Sequence, residues 1–386
     1  MTTHFIMQEL TTILPASAGI LFFIQSYYHL GLYRNLYLQS KKDKKETDTP
    51  PLSVILVAKE AASDLQKNLP AILEQDYPDF EVIVIYEQSA DDNCEDVLKL
   101  LQEKYPHLHH SFIPDSARYI SHKKLGITMG IKASHHEWLV FTEPSCAPAS
   151  NQWLRKMARN FTPDTDIVLG YSNYEKTQGW FNRKITFDTM LNSMRYLGMA
   201  IGGHPYMGCG RNMAYRKTVF YQQKGFASHL NLQRGEDDIF VNQVANGKHT
   251  RVEASAERVM RIRTPLYKKS WREEKLSYIA TSKYYKGFAR YLMGFEACSR
   301  LLFLVLVITN LAFGILTQNW MMVGISILLW LVRFVMQMMV FRKTSTALGA
   351  RKFYTTLLLF DWMQPLWNFR FKMQQKLRRK DEFMRK

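Results

Sequence analysis

The residues best placed to do chemistry stand together in Gly235-Glu236-Asp237-Asp238, three consecutive carboxylates behind a glycine. The apolar run that follows, Ile239-Phe240-Val241-Asn242-Gln243-Val244, predicts a helix whose first turn offers unpaired amides and the positive end of its dipole to those carboxylates. A carboxylate held there, shielded from water and crowded by like charges, has a raised pKa and can accept a proton from a hydroxyl nucleophile. The same tetrapeptide also reads as an acidic helix cap with no chemistry, because capping carboxylates are common and short motifs match by chance. The weight of the first reading comes from the segments around it.

Those segments alternate. Residues 53–57, 81–86, 111–113 and 138–141 read as short buried strands, and 64–74, 92–104 and 123–134 as the helices between them. Continuous apolar strands separated by helices predict an α/β fold, a mostly parallel sheet covered on both faces, with ligands beyond the carboxyl ends of its strands. Glu60, Glu87 and Glu143, each just past a strand, should then gather along one edge.

The chain has 386 residues, with Lys+Arg 51 against Asp+Glu 34 and a formal net charge of +17. Such a balance suits nucleic acid, an anionic membrane or a phosphorylated substrate, and the placement of the apolar residues separates these. Residues 11–33 contain no Asp, Glu, Lys or Arg and are long enough for a hydrocarbon core of ~30 Å. With no basic residues before the segment and no small-residue cleavage site after it, an uncleaved span is favoured over a signal peptide. Arg34, Lys41, Lys42, Lys44 and Lys45 follow it, which places the N-terminus outside and the next domain in the cytoplasm.

A second apolar region, 301–316 and 320–340 about the turn Thr317-Gln318-Asn319, reads as a membrane hairpin with both ends on the cytoplasmic face. Residues 353–367 are apolar but broken by Asp361 and Pro365. They read as an interfacial or re-entrant segment, with a third C-terminal span as the alternative. Arg333, inside the hairpin, is expected to snorkel to the headgroups or else to meet a lipid phosphate. Cys94, Cys146, Cys209 and Cys298 show no metal-ligand spacing, and a cytoplasmic domain keeps them reduced.

Several ordered motifs then carry a resemblance. They are Pro51-Leu52-Ser53-Val54-Ile55-Leu56-Val57-Ala58-Lys59-Glu60, Leu73-Glu74-Gln75-Asp76-Tyr77-Pro78, the strand and loop from Glu81 to Asp91, and Lys123-Lys124 with Gly130-Ile131. Further on come Phe141-Thr142-Glu143-Pro144-Ser145-Cys146-Ala147-Pro148 with Trp153-Leu154, Gly208-Cys209-Gly210-Arg211-Asn212, and the opening tetrapeptide. From about residue 51 to 285 the chain resembles the family 2 inverting glycosyltransferases of the GT-A fold, especially their membrane-bound bacterial members.

The resemblance implies a Rossmann-like, mostly parallel domain that uses a nucleotide-sugar. Nucleotide-sugar contacts fall on Ala58, on Glu60 where the family usually has asparagine, on Glu87 against the uracil ring N–H, and on Lys124, Gly210, Arg211 and Asn212. The family's metal-binding acidic pair falls on Glu143 and Ser145. Glu143 offers Mg²⁺ or Mn²⁺ a hard oxygen, but Ser145 replaces a charged ligand by a weak neutral one, so that Lys123, Lys124 and Arg211 are the other means of neutralising the diphosphate. Asp237 matches the general base and Glu236 its acidic neighbour. A further family motif is eroded to Glu274, Lys275, Ser277 and Tyr278, which with Trp271 and Asp238 mark an acceptor side or interface and argue for transfer of one sugar rather than chain synthesis.

The expected layout is a tail at 1–10, a span at 11–38, a basic linker at 39–50, a GT-A domain at 51–265 and interfacial amphipathic helices at 266–298. A hairpin at 299–341 follows, then a basic loop, an interfacial or re-entrant segment and a basic tail at 342–386. The implied function is a glycosyltransferase of the inner membrane, facing the cytoplasm, that glycosylates a lipid-linked acceptor in cell-envelope glycan synthesis. A catalytically weakened homologue serving as a nucleotide-sugar-binding or scaffold subunit is the second reading; nucleic acid is not an expected partner.

Overall fold

The computed structural model describes residues 2–42, 48–89, 92–256, 259–265 and 267–377. Lys44 and Lys45 of the basic linker, Ala90 and Asp91 of the third motif and the end of the basic tail lie outside the described residues.

After the N-terminal helix α1 (Thr2–Tyr27), a π-helical turn (Tyr28–Tyr33) and α2 (Arg34–Ser40), the chain enters the α/β domain. Its elements run β1 (Leu52–Ala58), α3 (Ala62–Leu73), β2 (Phe80–Glu87), α4 (Cys94–Lys104), β3 (Leu108–Ile113), α5 (His122–Ala133) and β4 (Trp138–Phe141). Then come β5 (Cys146–Pro148), α6 (Trp153–Ala158), β6 (Ile167–Gly170), β7 (Ser172–Tyr174), the long α7 (Trp180–Ile201), β8 (Met213–Arg216), α8 (Lys217–Gln222), α9 (Asp238–Val244), β9 (Thr250–Glu253) and β10 (Met260–Ile262).

Among the described residues one sheet has the order β3-β2-β1-β4-β8-β6-β9, with β8 antiparallel to β4 and β6 and the other pairs parallel. The predicted mainly parallel α/β arrangement is present. A small second sheet, β5-β10-β7, was not foreseen, since strands of three residues leave no periodic signal.

β1 is covered on both faces. Leu52, Val54 and Leu56 enter one core cluster and Ile55 the other, as the two-residue repeat of a strand requires. α5 lies directly on β1 because two of its residues are glycine: a Cβ at Gly126 would stand 2.8 Å from Val57 Cγ1, and one at Gly130 2.7 Å from Ile55 Cγ2. This close seat brings the first turn of α5, with Lys123, to the carboxyl edge of the sheet.

Beyond the domain lie α10 (Lys268–Thr281), α11 (Ala289–Leu316), α12 (Trp320–Ala347) and α13 (Thr355–Leu377). Three helical stretches among the described residues, Glu9–Ser40, Ala289–Leu316 and Trp320–Ala347, are long and apolar enough to cross a membrane. The interfacial helices expected to run to residue 298 end sooner, because α11 begins at Ala289 and continues unbroken through the apolar stretch.

Two further expectations are corrected. The segment interrupted by Asp361 and Pro365 is one continuous helix, α13, with Pro365 inside it, so the re-entrant form is not adopted. Arg333 neither snorkels nor faces lipid: it is fully buried, with Nη1 donating to Asp361 Oδ2 at 2.7 Å and Nη2 to Gln25 Oε1 at 3.3 Å. An interior carboxylate was available, which a lone arginine between apolar neighbours does not announce.

The π-helical turn and α2 that follow the N-terminal helix are packed into the rest of the chain. Tyr28, Leu32, Tyr33 and Leu36 join Met190, Met194 and Leu197 of α7 in one buried cluster. Gly198 permits the approach, since a Cβ there would lie 2.7 Å from the Leu32 carbonyl oxygen.

Candidate active site

Asp237 is buried at the start of α9 and gripped on both oxygens. Its Oδ1 accepts from the Asp238 amide at 2.7 Å, and its Oδ2 from the Gly210 amide and the Tyr278 hydroxyl, each at 2.9 Å. Gly235 supplies the preceding turn, with φ of 109° and with Ile239 Cδ1 2.6 Å from where a Cβ would stand. Asp238, buried beside it, accepts from Thr281 Oγ1 and, at 2.6 Å, from the Tyr285 hydroxyl. The residues from Tyr278 to Tyr285 on and after α10 therefore form a lid of hydroxyl donors over the two aspartates.

Burial drives the Asp237 carboxyl above its ordinary range, and the negative charge of Glu236 adds to this. Burial, with the charge of Asp237, pushes Asp238 up to about 7. Burial alone would raise Glu236 too, but Lys123 and Arg234 hold it below the usual carboxylate range. Neighbouring carboxylates are thus driven apart in proton affinity, the condition for separate roles in proton transfer.

A chain of charges faces them. Lys123 Nζ lies 2.7 Å from Glu143 Oε1 and 3.0 Å from Glu236 Oε1. Arg211 Nε donates to Glu143 Oε2 at 2.8 Å, while its two terminal nitrogens hold Glu274 at 2.6 and 2.9 Å. Burial would raise Glu143, yet Lys123 and Arg211 keep it well below the usual carboxylate range. These groups line a cleft of about 350 Å³ with Asp237 at its wall and Arg234 exposed at its rim. A second cleft of about 330 Å³, lined by Ser145, Tyr174 and Trp271 among others, shares Arg211, Ser270 and Glu274 with the first.

The structure brings Asp237, Glu236, Asp238, Glu143, Arg211, Glu274 and Tyr278 together, and leaves other predicted residues elsewhere. Lys124 is buried away from the cleft, its Nζ donating to the His229 and Leu232 carbonyls at 2.6 and 2.7 Å, and burial lowers it to about 8. Its neighbour Lys123 is the one that faces the carboxylates. Asn212 is buried as a structural link, its Nδ2 donating to the Tyr171 carbonyl at 2.8 Å and its Oδ1 accepting from Trp153 Nε1 at 3.0 Å. Gly210 gives its amide to Asp237 Oδ2 at 2.9 Å.

Ala58 is fully buried at the end of β1, Glu60 follows it exposed with φ of 47°, and Glu87 ends β2 beside Lys59 at 2.7 Å and His122 at 3.3 Å. Lys275 turns from the cleft to Asp188 of α7 at 2.5 Å. Trp271 packs edge-on against Phe181 and Phe371, with ring centroids 6.1 and 5.6 Å apart. Sequence reasoning missed Arg234, Thr281 and the inward turn of Tyr285; the spacing of Tyr278, Thr281 and Tyr285, at helical intervals after the acidic motif, was the available signal.

The expected divalent cation does not fit these residues. Both oxygens of Glu143 already meet cations, Ser145 is neutral with its hydroxyl 3.9 Å from Cys146 Sγ, and no three His, Cys, Asp or Glu side chains among the described residues converge as a metal site.

The sequence profile of glycosyl transferase family 21 matches residues 17–372. The chain belongs to glycosyl transferase family 21. No curated protein sequence matches it. The fold of this family 21 chain is similar to that of mannosyltransferase PcManGT from Pyrobaculum calidifontis, solved with GDP-Man and Mn²⁺, at 15% identity over 92% of this chain and 99% of that one, with a TM-score of 0.53. S. aureus TarS matches at 14% identity and a TM-score of 0.42 in two structures, covering 66% of this chain and 43% of that one, and 84% and 91% for TarS 1-349. The family 21 chain is a glycosyltransferase with a GT-A-like fold. The motifs resemble those of family 2, but the profile that matches is that of family 21.

Proposed function

We propose that this chain is a membrane-anchored, inverting glycosyltransferase that moves a single sugar from a nucleotide-sugar, a UDP-sugar by its resemblance, to the hydroxyl of a membrane-associated, lipid-linked acceptor. The observation that carries the reading is the buried Asp237 carboxylate with raised proton affinity, set in a cleft whose other wall is Lys123 and Arg211. In the step, the acceptor oxygen attacks the anomeric carbon in line and its proton passes to Asp237. The bond from that carbon to the diphosphate oxygen breaks with its electron pair, and the charge gathers on the leaving nucleoside diphosphate. One displacement inverts the configuration. Gly210 and Tyr278 fix the direction of the Asp237 carboxylate, and the three apolar helices hold the domain at the bilayer, with the basic loops on its side.

Asp237→Asn keeps the shape and removes the base. It is expected to lower kcat by about a thousandfold with nucleotide binding retained, as measured with a panel of UDP-sugars and lipid acceptors on the purified full chain. Unchanged kcat would remove Asp237 from the reaction. The weakened-homologue reading has its own observation, the internal ion pairs that fill the cleft, and predicts nucleotide binding without turnover in the wild type as well.

A further inference from the structure

We infer that the ammonium of Lys123 and the guanidinium of Arg211 together replace the divalent metal in neutralising the departing diphosphate, and that Glu274 is the internal anion that fills the fork of Arg211 until the diphosphate takes its place. The inference rests on the donor reading above. It starts from Glu143, the one carboxylate at the expected metal position, which stands between two cations: Lys123 Nζ is 2.7 Å from one oxygen and Arg211 Nε 2.8 Å from the other. A dication coordinating that carboxylate at about 2.0–2.6 Å would be pressed against both positive groups, with Ser145 adding no charge to offset them.

The two side chains already supply the charge a divalent ion would bring. Arg211 supplies geometry as well, because its planar fork binds carboxylate and phosphate oxygens in the same bidentate way. Today that fork holds Glu274, with Nη1 to Oε1 at 2.6 Å and Nη2 to Oε2 at 2.9 Å.

Glu274 is well placed to yield. It lies on the boundary shared by the two clefts and is partly open to solvent, with a side-chain exposure of 27%. It also has a second partner in the Tyr174 hydroxyl at 3.2 Å, which can keep the carboxylate when Arg211 turns to a phosphate. The exchange puts a phosphate oxygen where a Glu274 oxygen stood, and the further charge that gathers on the diphosphate is met by Arg211 and Lys123 together.

The test is calorimetric titration of the detergent-solubilised full chain with UDP, GDP and CDP, first in EDTA and then with Mn²⁺. It is carried out on wild type, Lys123→Gln, Arg211→Gln and Glu274→Gln. The expected result is nucleoside diphosphate binding in EDTA that Mn²⁺ changes by less than about twofold, weakened about tenfold or more by Lys123→Gln or Arg211→Gln. Glu274→Gln, which removes the competing charge and keeps the shape, should tighten it several-fold. Because Arg211→Gln could disturb folding, the Glu274→Gln arm stands alone: unchanged or weaker binding in that variant overturns the exchange. Binding that appears only with Mn²⁺ overturns the metal replacement while leaving the donor reading intact. No binding of any nucleotide under either condition overturns the donor reading and this inference with it.

Discussion

The cleft beside Asp237 and the seam where α11, α12 and α13 meet both set arginines against carboxylates, and their surroundings make them different devices. In the cleft, Glu143 and Glu274 keep side-chain exposures of 23% and 27% next to open volume, and each cation divides itself between partners. In the seam, Arg333 and Asp361 are sealed, Gln337 adds a bond to Asp361 at 2.9 Å, Gln364 meets Arg300, and Glu296 of α11 pairs with Arg195 of α7 at 2.5 Å. The same ion chemistry is exchangeable where water or a substrate oxygen can replace a partner. Where nothing can, it becomes a fixed orientation between helices.

The comparison breaks most sharply at Arg333. Arg333→Met takes from buried Asp361 its close cation, leaving only Arg300 at 3.8 Å, and is expected to cost about 3–5 kcal/mol, seen as lost folded yield or a lowered Tm in detergent. The double variant Arg333→Met with Asp361→Leu should recover most of that loss. If the single variant melts like wild type, the seam is no staple. By contrast, Glu274→Gln in the cleft should leave the melt within about 1 kcal/mol, because its pair is partly solvated.

A middle-sized effect belongs to Tyr278. Its hydroxyl stabilises the ionised Asp237, so Tyr278→Phe should push that carboxyl further up and move the acid limb of kcat/KM to higher pH by about half to one unit. A pH–rate profile in which the limb stays in place would reduce Tyr278 to a packing residue.

The smallest effect concerns Asp238. Its folded pKa of about 7 lies above the ordinary 3.8, so the folded state keeps a proton that the unfolded chain releases. That contribution to stability is present below the unfolded value and is lost as pH rises through about 7. Asp238→Asn, which imitates the protonated form, should raise Tm by roughly a few degrees at pH 8 and by less at pH 5. An equal change at both pH values would count against a buried, proton-holding Asp238.

Much of this was legible because it rests on local pattern. The buried strand 138–141 and the helices near 64–74 and 123–134 follow from apolar periodicity and are displaced by only a residue or two. The acidic motif announced itself by composition. What was not legible depends on direction and distance. Lys123 and Lys124 are equivalent as text, but on a helix adjacent side chains point about 100° apart, so one faces the cleft while the other caps carbonyls of a distant loop. Asp361 looked like an interruption because its partner is 28 residues away on another helix. Glu274 and Arg211, likewise far apart in sequence, meet only through the packing of α10 against the domain.

The close seat of α7 on the π-helical turn has one more consequence. From that turn through α7, by way of Asp188 and Lys275 to α10, and on to Tyr278 and Asp237, the contacts are continuous and buried or nearly so. In the membrane reading proposed above, this works as a gauge. The general base stands at one height over the lipid surface, and among acceptors of equal chemistry the enzyme should favour those whose hydroxyl rises to that height.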